Sequence, residues 1–125
     1  RQKADKRKIV NYDDIKLILT KYDFKVLEFE DFSLEDSLSI ANNCQVIGGV
    51  HGAGLTNMIF MKKKSTVIEI RSKGDTTNNC FFSLASDMEH DYFYFLGDPT
   101  SNNFYETDIY IDPVLFENFL ENNRF

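Results

Sequence analysis

The chain has 125 residues, of which 42% are hydrophobic and 27% are charged, so its composition is that of one ordinary globular domain and excludes a disordered tail or a coiled coil. Its 14 basic and 20 acidic residues give a net charge of −6, which argues against general binding to nucleic acids or to anionic membranes. No apolar run reaches the length of about 18 residues that a membrane-spanning helix needs, so the sequence predicts no transmembrane segment.

The first third of the chain predicts two amphipathic helices with a strand between them. Asn11 can cap the first helix, and Ser33 begins a capping box, with Asp36 in the third helical position, that opens the second. Apolar residues recur at helical spacing in both helices: Ile15, Ile18, Leu19 and Tyr22 in the first, and Leu34, Leu38 and Ala41 in the second. Residues 25–29 are rich in β-forming residues, so we expect a short strand there.

Strands and helices continue to alternate through the rest of the chain. Residues 45–50 are apolar on both faces, which is typical of a strand buried in a parallel sheet. A third helix is predicted from apolar residues at helical spacing: Phe81, Leu84, Ala85 and Met88. The other predicted segments are a short helix at residues 58–60, strands at residues 66–71 and 92–96, a loop at residues 97–103, an extended piece at residues 109–111, and a last helix opened by Asp112 and Pro113.

This alternation predicts an α/β fold, in the form of a Rossmann-like parallel sheet with helices on both faces. We expect residues 1–125 to form one such domain, with residues 45–49 as a central parallel strand. Ligands of these sheets bind at the carboxyl ends of the strands, where loops lead into helices. The segment after residues 45–50 is therefore the first place to search for a binding site.

Residues 51–57, HGAGLTN, form a glycine-rich turn at that position. Backbone N–H groups at the start of a helix carry partial positive charge, so such a turn suits a phosphate or a diphosphate. Glycine at positions 52 and 54 permits positive φ and leaves space for a ligand, because glycine has no Cβ. His51 adds a hydrogen-bond donor, and we expect its side chain to point into the ligand cleft rather than into the core.

The same residues also fit a tight strand-to-helix turn in which His51 is a partly buried structural histidine. Other site types have less support, because the sequence has no Walker A loop, no GxGxxG motif and no GxSxG nucleophile elbow of a serine hydrolase. Cys44 and Cys80 lack the spacing of a zinc site, so we expect no bound metal. We expect both thiols to be reduced, with Cys44 as a small core residue.

Residues 44–70, CQVIGGVHGAGLTNMIFMKKKSTVIEI, resemble the core signature of the family 61 glycosyltransferases: a buried strand, HGAGLTN, a short helix with Phe, and a strand ending in Glu-Ile. Arg7, Ile9 and Asn11 match a further R-x-I-x-N run of that family. The resemblance implies a GT-B-type enzyme with two Rossmann-like domains. This chain, which begins at Arg1 rather than Met, would be a piece of it, namely the C-terminal, donor-binding half.

The resemblance also implies the chemistry, which is an inverting transfer from a nucleotide-sugar, usually a UDP-sugar, without a bound metal or another cofactor. The carbohydrate acceptor and the catalytic base would belong to a missing N-terminal domain, so we expect the chain alone to transfer no sugar. Bacterial members imply a role in capsular polysaccharide or exopolysaccharide synthesis, in the cytoplasm or at the inner face of the membrane. The alternative function is a non-catalytic Rossmann-like module that binds a nucleotide.

Carried over position by position, the resemblance assigns residues to parts of the donor. It places Arg1 and Arg7 on the phosphates of the donor and Glu69 on its ribose hydroxyls. It places His51 at the departing diphosphate, together with the backbone N–H groups of Gly52, Ala53, Gly54 and Leu55. Thr56 and Asn57 would lie at the helix start or on the phosphate. Guanidinium groups bind phosphates in a bidentate manner, and preorganised donors stabilise a leaving diphosphate. Three alternatives stay open: a solvated charge for Arg7, capping alone for Asn57, and an ion pair with Arg71 or a lysine for Glu69.

Overall fold

Four strands form the sheet of this protein. The computed structural model describes residues 5–76 and 78–125, and across that part of the chain the strand order is β1 (Val46–Val50), β2 (Thr66–Ser72), β3 (Asp91–Pro99) and β4 (Ile109–Tyr110). β1 pairs with β2 and β2 with β3 in parallel, whereas β4 is antiparallel to β3. The connection from β3 to β4 contains no crossover helix, so the chain reverses direction there. The fold is α/β as predicted, with a mixed rather than a wholly parallel sheet.

Four α-helices and two 3₁₀ helices lie in the described part of the chain. The α-helices are α1 (Tyr12–Lys21), α2 (Leu34–Asn43), α3 (Cys80–Asp87) and α4 (Pro113–Asn122), and the 3₁₀ helices are Phe29–Asp31 and Ala53–Phe60. The predicted caps of α2 and α4 are confirmed, because the side chains of Ser33 and Asp112 each accept a backbone N–H of their helix, at 3.1 Å and 3.0 Å. No helix within residues 5–76 and 78–125 is long and apolar enough to span a membrane.

Asn11 lies at the N-cap position of α1, but its side chain does not cap the helix, contrary to the prediction. Its side-chain amide donates to Ile111 O at 2.7 Å, and its Oδ1 accepts the Ile111 N–H at 3.1 Å. The neighbouring Ile9 forms a parallel bridge with Ile109 in β4. The segment before α1 is therefore attached to β4, as a further short strand would be.

Apolar side chains cover both faces of the sheet. Along β2, Ile68 and Ile70 pack with α1 and α4, whereas Val67 packs with α2, α3 and the 3₁₀ helix Ala53–Phe60. Because side chains alternate along a strand, these two apolar clusters lie on opposite faces. The first cluster also contains Ile15, Val50, Phe95, Ile109, Ile111, Phe116 and Leu120, and the second contains Ala41, Ile47, Leu55, Met58, Met61, Phe81 and Ala85. Helices thus lie on both faces, as the sequence predicted.

Three of the predicted strands differ from the structure. Residues 25–29 form no strand, because Phe24 packs against the first cluster and Phe29 against the second, so the chain here crosses from one face of the sheet to the other. β1 pairs only with β2 among the described strands, which makes it an edge strand and not the central one. β3 is longer than predicted and includes Gly97, where a Cβ would lie 2.2 Å from Ile109 Cγ2. Glycine at this position therefore lets β4 approach β3.

Candidate functional site

The loop that follows β1 lies at the carboxyl end of the parallel strands, where the sequence predicts it. His51 extends the pairing of β1 with β2, because its backbone N–H donates to Ile70 O at 2.9 Å. The chain then enters the 3₁₀ helix Ala53–Phe60, which starts earlier than the predicted short helix and includes most of the HGAGLTN segment. The turn itself is reduced to His51 and Gly52.

The two glycines of the loop differ in their surroundings. Gly52 is buried, and its φ of 161° and ψ of 173° describe an extended backbone that any residue can adopt. Gly54 does not have positive φ either, so the described loop does not use the left-handed conformation that glycine permits. Gly54 is exposed, and a Cβ built on it would meet no atom within 4 Å. The loop therefore has open space at Gly54.

His51 is mostly buried, contrary to the prediction that its side chain points into a cleft. Its side chain is 12% exposed, Nδ1 is hydrogen-bonded to Glu69 Oε1, and its ring packs edge-on against Phe81 at a centroid distance of 5.0 Å. Nε2 makes no hydrogen bond with the described residues, yet it is not one of their buried unpartnered polar atoms. Nε2 is therefore not fully enclosed, and His51 contacts the fold mainly through Nδ1 and its ring.

Glu69 is the partner that fixes His51, and its carboxylate has no exposed surface. One oxygen is bonded to His51 Nδ1, and the other accepts the hydroxyl hydrogen of Tyr92. A carboxylate so enclosed does not reach ribose hydroxyls, so the geometry does not support the role that the resemblance implied for it. The alternative ion pair with Arg71 is not formed either, because Arg71 donates to Asn79 Oδ1 at 2.9 Å and to Asp75 Oδ1 at 3.2 Å.

Tyr92 belongs to the site but is missing from the residues assigned from the sequence. It lies on β3, and burial, followed by the hydrogen bond to Glu69, raises its pKa well above the usual value of 10. The signal in the sequence was the charged Glu69 in the middle of an otherwise apolar strand, since a buried carboxylate needs buried donors. The sequence does not say which donors, because that depends on the register between strands.

The other loop residues use their polar groups within the loop. Thr56 Oγ1 donates to Ala53 O at 2.6 Å, and Asn57 Nδ2 donates to Gly54 O at 3.0 Å. Neither bond caps the start of the 3₁₀ helix, so the capping alternative for Asn57 is not formed, and both side chains bond to carbonyl groups of the loop instead. Leu55 is buried in the second cluster, and its N–H donates to Gly52 O at 3.0 Å, so this N–H is not free for a diphosphate as the resemblance implied.

The structure does not bring Arg7 to His51. Arg7 lies just before the segment attached to β4, where the Lys8 N–H donates to Asp108 Oδ1 at 2.8 Å. β4 and β1 are at opposite ends of the strand order. The Arg7 Nε atom is buried and has no hydrogen-bond partner among the described residues. Arg1 lies outside the described residues.

Other features of the chain lie away from this loop. A cavity of about 570 Å³ opens at the amino ends of β1 and β2, lined by residues that include Gln45, Lys62, Lys64 and Arg124, and it contains none of the candidate residues. Cys44 and Cys80 are free thiols, and burial raises the pKa of Cys44. Within residues 5–76 and 78–125, no three or more His, Cys, Asp or Glu side chains are grouped so that they could hold a metal ion.

Comparison with known proteins identifies the family. The family model for glycosyltransferase 61 matches residues 1–68. The EGF domain-specific O-linked N-acetylglucosamine transferase of Drosophila melanogaster is 30% identical over 82 residues, covering 63% of this chain and 15% of that protein. A beta-1,2-xylosyltransferase of Oryza sativa subsp. japonica is 30% identical over 101 residues, covering 77% of this chain and 18% of that protein. The matched stretch spans less than a fifth of the length of these relatives. Because the family model matches more than half of this chain, the chain belongs to the family 61 glycosyltransferases.

Proposed function

We propose that this chain forms the donor site of an inverting glycosyltransferase that uses a nucleotide-sugar, with UDP as its nucleotide. Family membership supports glycosyl transfer, and the names of the relatives include transferases of N-acetylglucosamine and of xylose. The observation that carries the proposal is the placement of His51. Its ring is held by Glu69 at the carboxyl ends of parallel strands, and its Nε2 remains accessible.

In the proposed reaction an acceptor hydroxyl attacks the anomeric carbon from the face opposite the diphosphate. The bond between the anomeric carbon and the diphosphate oxygen breaks, and its electron pair leaves with the diphosphate. The hydroxyl proton passes to a base outside this chain. A hydrogen-bond donor already in place at the departing oxygen lowers the barrier, because it does not have to reorganise as negative charge develops. We assign this role to His51 Nε2, next to the exposed Ala53 and Gly54.

The biological setting of the reaction stays a prediction. The sequence resemblance implies capsular polysaccharide or exopolysaccharide synthesis in the bacterial cytoplasm, whereas the matched relatives include proteins of a fly and of rice. The acceptor would bind to a part of the protein outside this chain, which matches less than a fifth of each relative.

We expect the substitution Gly54→Leu to weaken UDP binding by at least about tenfold, while the melting temperature stays near that of the wild type. The added side chain meets open space in the protein but would collide with a ligand held over the loop. Calorimetric titration of the full-length protein with UDP and thermal unfolding measure the two effects on one preparation.

Gly54→Ala is the matched control, because it adds one methyl group at the same point and should reduce the affinity less. The donor site is supported if the wild type binds UDP, Gly54→Ala binds it more weakly and Gly54→Leu binds it most weakly. No binding of UDP to the wild type, or equal binding by wild type and Gly54→Leu, would contradict a donor site at this loop.

A further inference from the structure

Glu69 occupies a position where an apolar residue would be expected. It lies inside β2 between Ile68 and Ile70, and its side chain is fully buried. Removing a carboxylate from water is energetically unfavourable, and an apolar side chain would avoid that penalty. Its two oxygens bond to His51 after β1 and to Tyr92 on β3, so the carboxylate connects residues of three neighbouring strands. This arrangement requires an explanation beyond packing.

We infer that Glu69 and Tyr92 are positioning residues that hold His51 against the donor diphosphate, and that His51 makes this contact as an imidazolium ion. The inference rests on the proposed function and specifies how His51 is oriented and protonated. It assigns Glu69 a role through His51 instead of a direct contact with the ribose.

The charge of His51 follows from its hydrogen bonds. A carboxylate only accepts hydrogen bonds, so Nδ1 carries a hydrogen when it is bonded to Glu69. A neutral imidazole has a single N–H, which leaves Nε2 as an acceptor. The oxygens of a diphosphate are acceptors as well. Nε2 can therefore donate to the diphosphate only when both ring nitrogens carry hydrogen, and the resulting cation lies between two anions.

Tyr92 completes the arrangement by holding the carboxylate. Its hydroxyl donates to the oxygen of Glu69 that His51 does not use. A tyrosine hydroxyl is protonated at neutral pH, and burial with the bond to Glu69 raises the pKa of Tyr92 further, so it remains a donor. The consecutive Phe81 and Phe82 of α3 pack edge-on against the rings of His51 and Tyr92, at centroid distances of 5.0 Å and 5.4 Å. Both rings are thus held by contacts as well as by hydrogen bonds.

Arg71 is the other buried charged residue of β2, and its Nε has no hydrogen-bond partner among the described residues. Arg71 follows Glu69 two positions along β2 and is buried, but its terminal nitrogens are bonded to Asn79 and Asp75. It contributes positive charge near Tyr92, which acts to lower the pKa of that residue without reversing the raised value. His51 is therefore the residue that can form a direct ion pair with Glu69.

The test compares the full-length wild type with Glu69→Gln and Tyr92→Phe, and uses Tyr94→Phe as a matched control. Tyr94 lies beside Glu69 in the register of β2 and β3, but it is 59% exposed. ¹⁵N NMR of histidine-labelled protein saturated with UDP reports whether each ring nitrogen of His51 carries hydrogen. Steady-state kinetics give kcat and the KM for the donor.

We expect both ring nitrogens of His51 to be protonated in the UDP complex of the wild type and of Tyr94→Phe. Glu69→Gln should leave the ring neutral and lower kcat by about 10- to 100-fold, with a smaller change in KM. Tyr92→Phe should lower kcat by a smaller factor, because it loosens the carboxylate without removing its charge.

A neutral His51 ring in the UDP complex of the wild type would overturn the inference, as would wild-type kcat and ring signals in Glu69→Gln. If Glu69→Gln does not fold, Tyr92→Phe makes the same comparison, and unchanged kcat and ring signals in that variant overturn the inference. Failure of the wild type to bind UDP overturns the proposed function and this inference with it. Normal UDP binding with a neutral ring overturns the inference alone.

Discussion

We expect Glu69→Ala to lower the free energy of unfolding by about 2–4 kcal/mol. The substitution leaves a ring N–H of His51 and the hydroxyl of Tyr92 without their acceptor, and it opens a cavity where the side chain is fully buried. Chemical denaturation of the wild type and the variant, followed by circular dichroism, measures the difference.

Two further variants separate the causes of this loss. Glu69→Gln keeps the shape and can hydrogen-bond both partners, so it should lose less stability than Glu69→Ala. Glu89→Ala also removes a glutamate, but that side chain is 58% exposed and pairs with the exposed Lys63, so its stability should stay near that of the wild type. Equal stability of Glu69→Ala and Glu89→Ala would show that the buried contacts of Glu69 do not stabilise the fold.

We expect His51→Asn to lower kcat of the full-length enzyme by about 10²–10³-fold while retaining most of its stability. The amide nitrogen of Asn can take the place of Nδ1 and donate to Glu69, but the variant has nothing at the position of Nε2. His51→Gln is the complementary change, because its longer side chain can place a donor near the position of Nε2 and loses the contact with Glu69. Melting temperatures and kcat values of both variants provide the comparison.

The two substitutions should therefore rank in opposite orders for the two properties. His51→Asn should be the more stable variant and His51→Gln the more active one. If His51 served only the fold, His51→Asn would be both the more stable and the more active variant, and that result would rule out a role at the diphosphate. His51→Ala removes both functions at once, so we expect it to lose stability as well, in contrast to a histidine that only lines a cleft.

Local signals in the sequence were enough to predict most of the elements. Ser33 and Asp112 cap their helices as predicted, because a capping side chain bonds to N–H groups only two or three residues away. Asn11 carries the same local signal, but its amide bonds to the distant Ile111 instead. Residues 25–29 likewise have strand-forming composition and still form no strand. In both cases long-range packing overrides local preference.

The site was predictable in its location but not in its contacts. The two-sided apolar strand and HGAGLTN placed His51 correctly at the carboxyl end of β1. The contact with Glu69 depends on the parallel register that pairs Val50 with Ile70, and the contact with Tyr92 depends on the register between β2 and β3. Strands that are apolar on both faces have no alternation of apolar and polar residues, so their hydrophobic pattern does not show which residues pair with each other. The family resemblance therefore implied a separate ligand-binding role for Glu69, whereas in the structure Glu69 is the hydrogen-bond partner of His51.

A crystal structure of the full-length protein with UDP bound tests the central claim most directly. We predict an oxygen of the diphosphate within about 3 Å of His51 Nε2, above the exposed backbone of Ala53 and Gly54, with the bond from Nδ1 to Glu69 intact. Electron density that places the diphosphate away from the loop after β1, with His51 Nε2 in contact with water or protein only, would contradict the account.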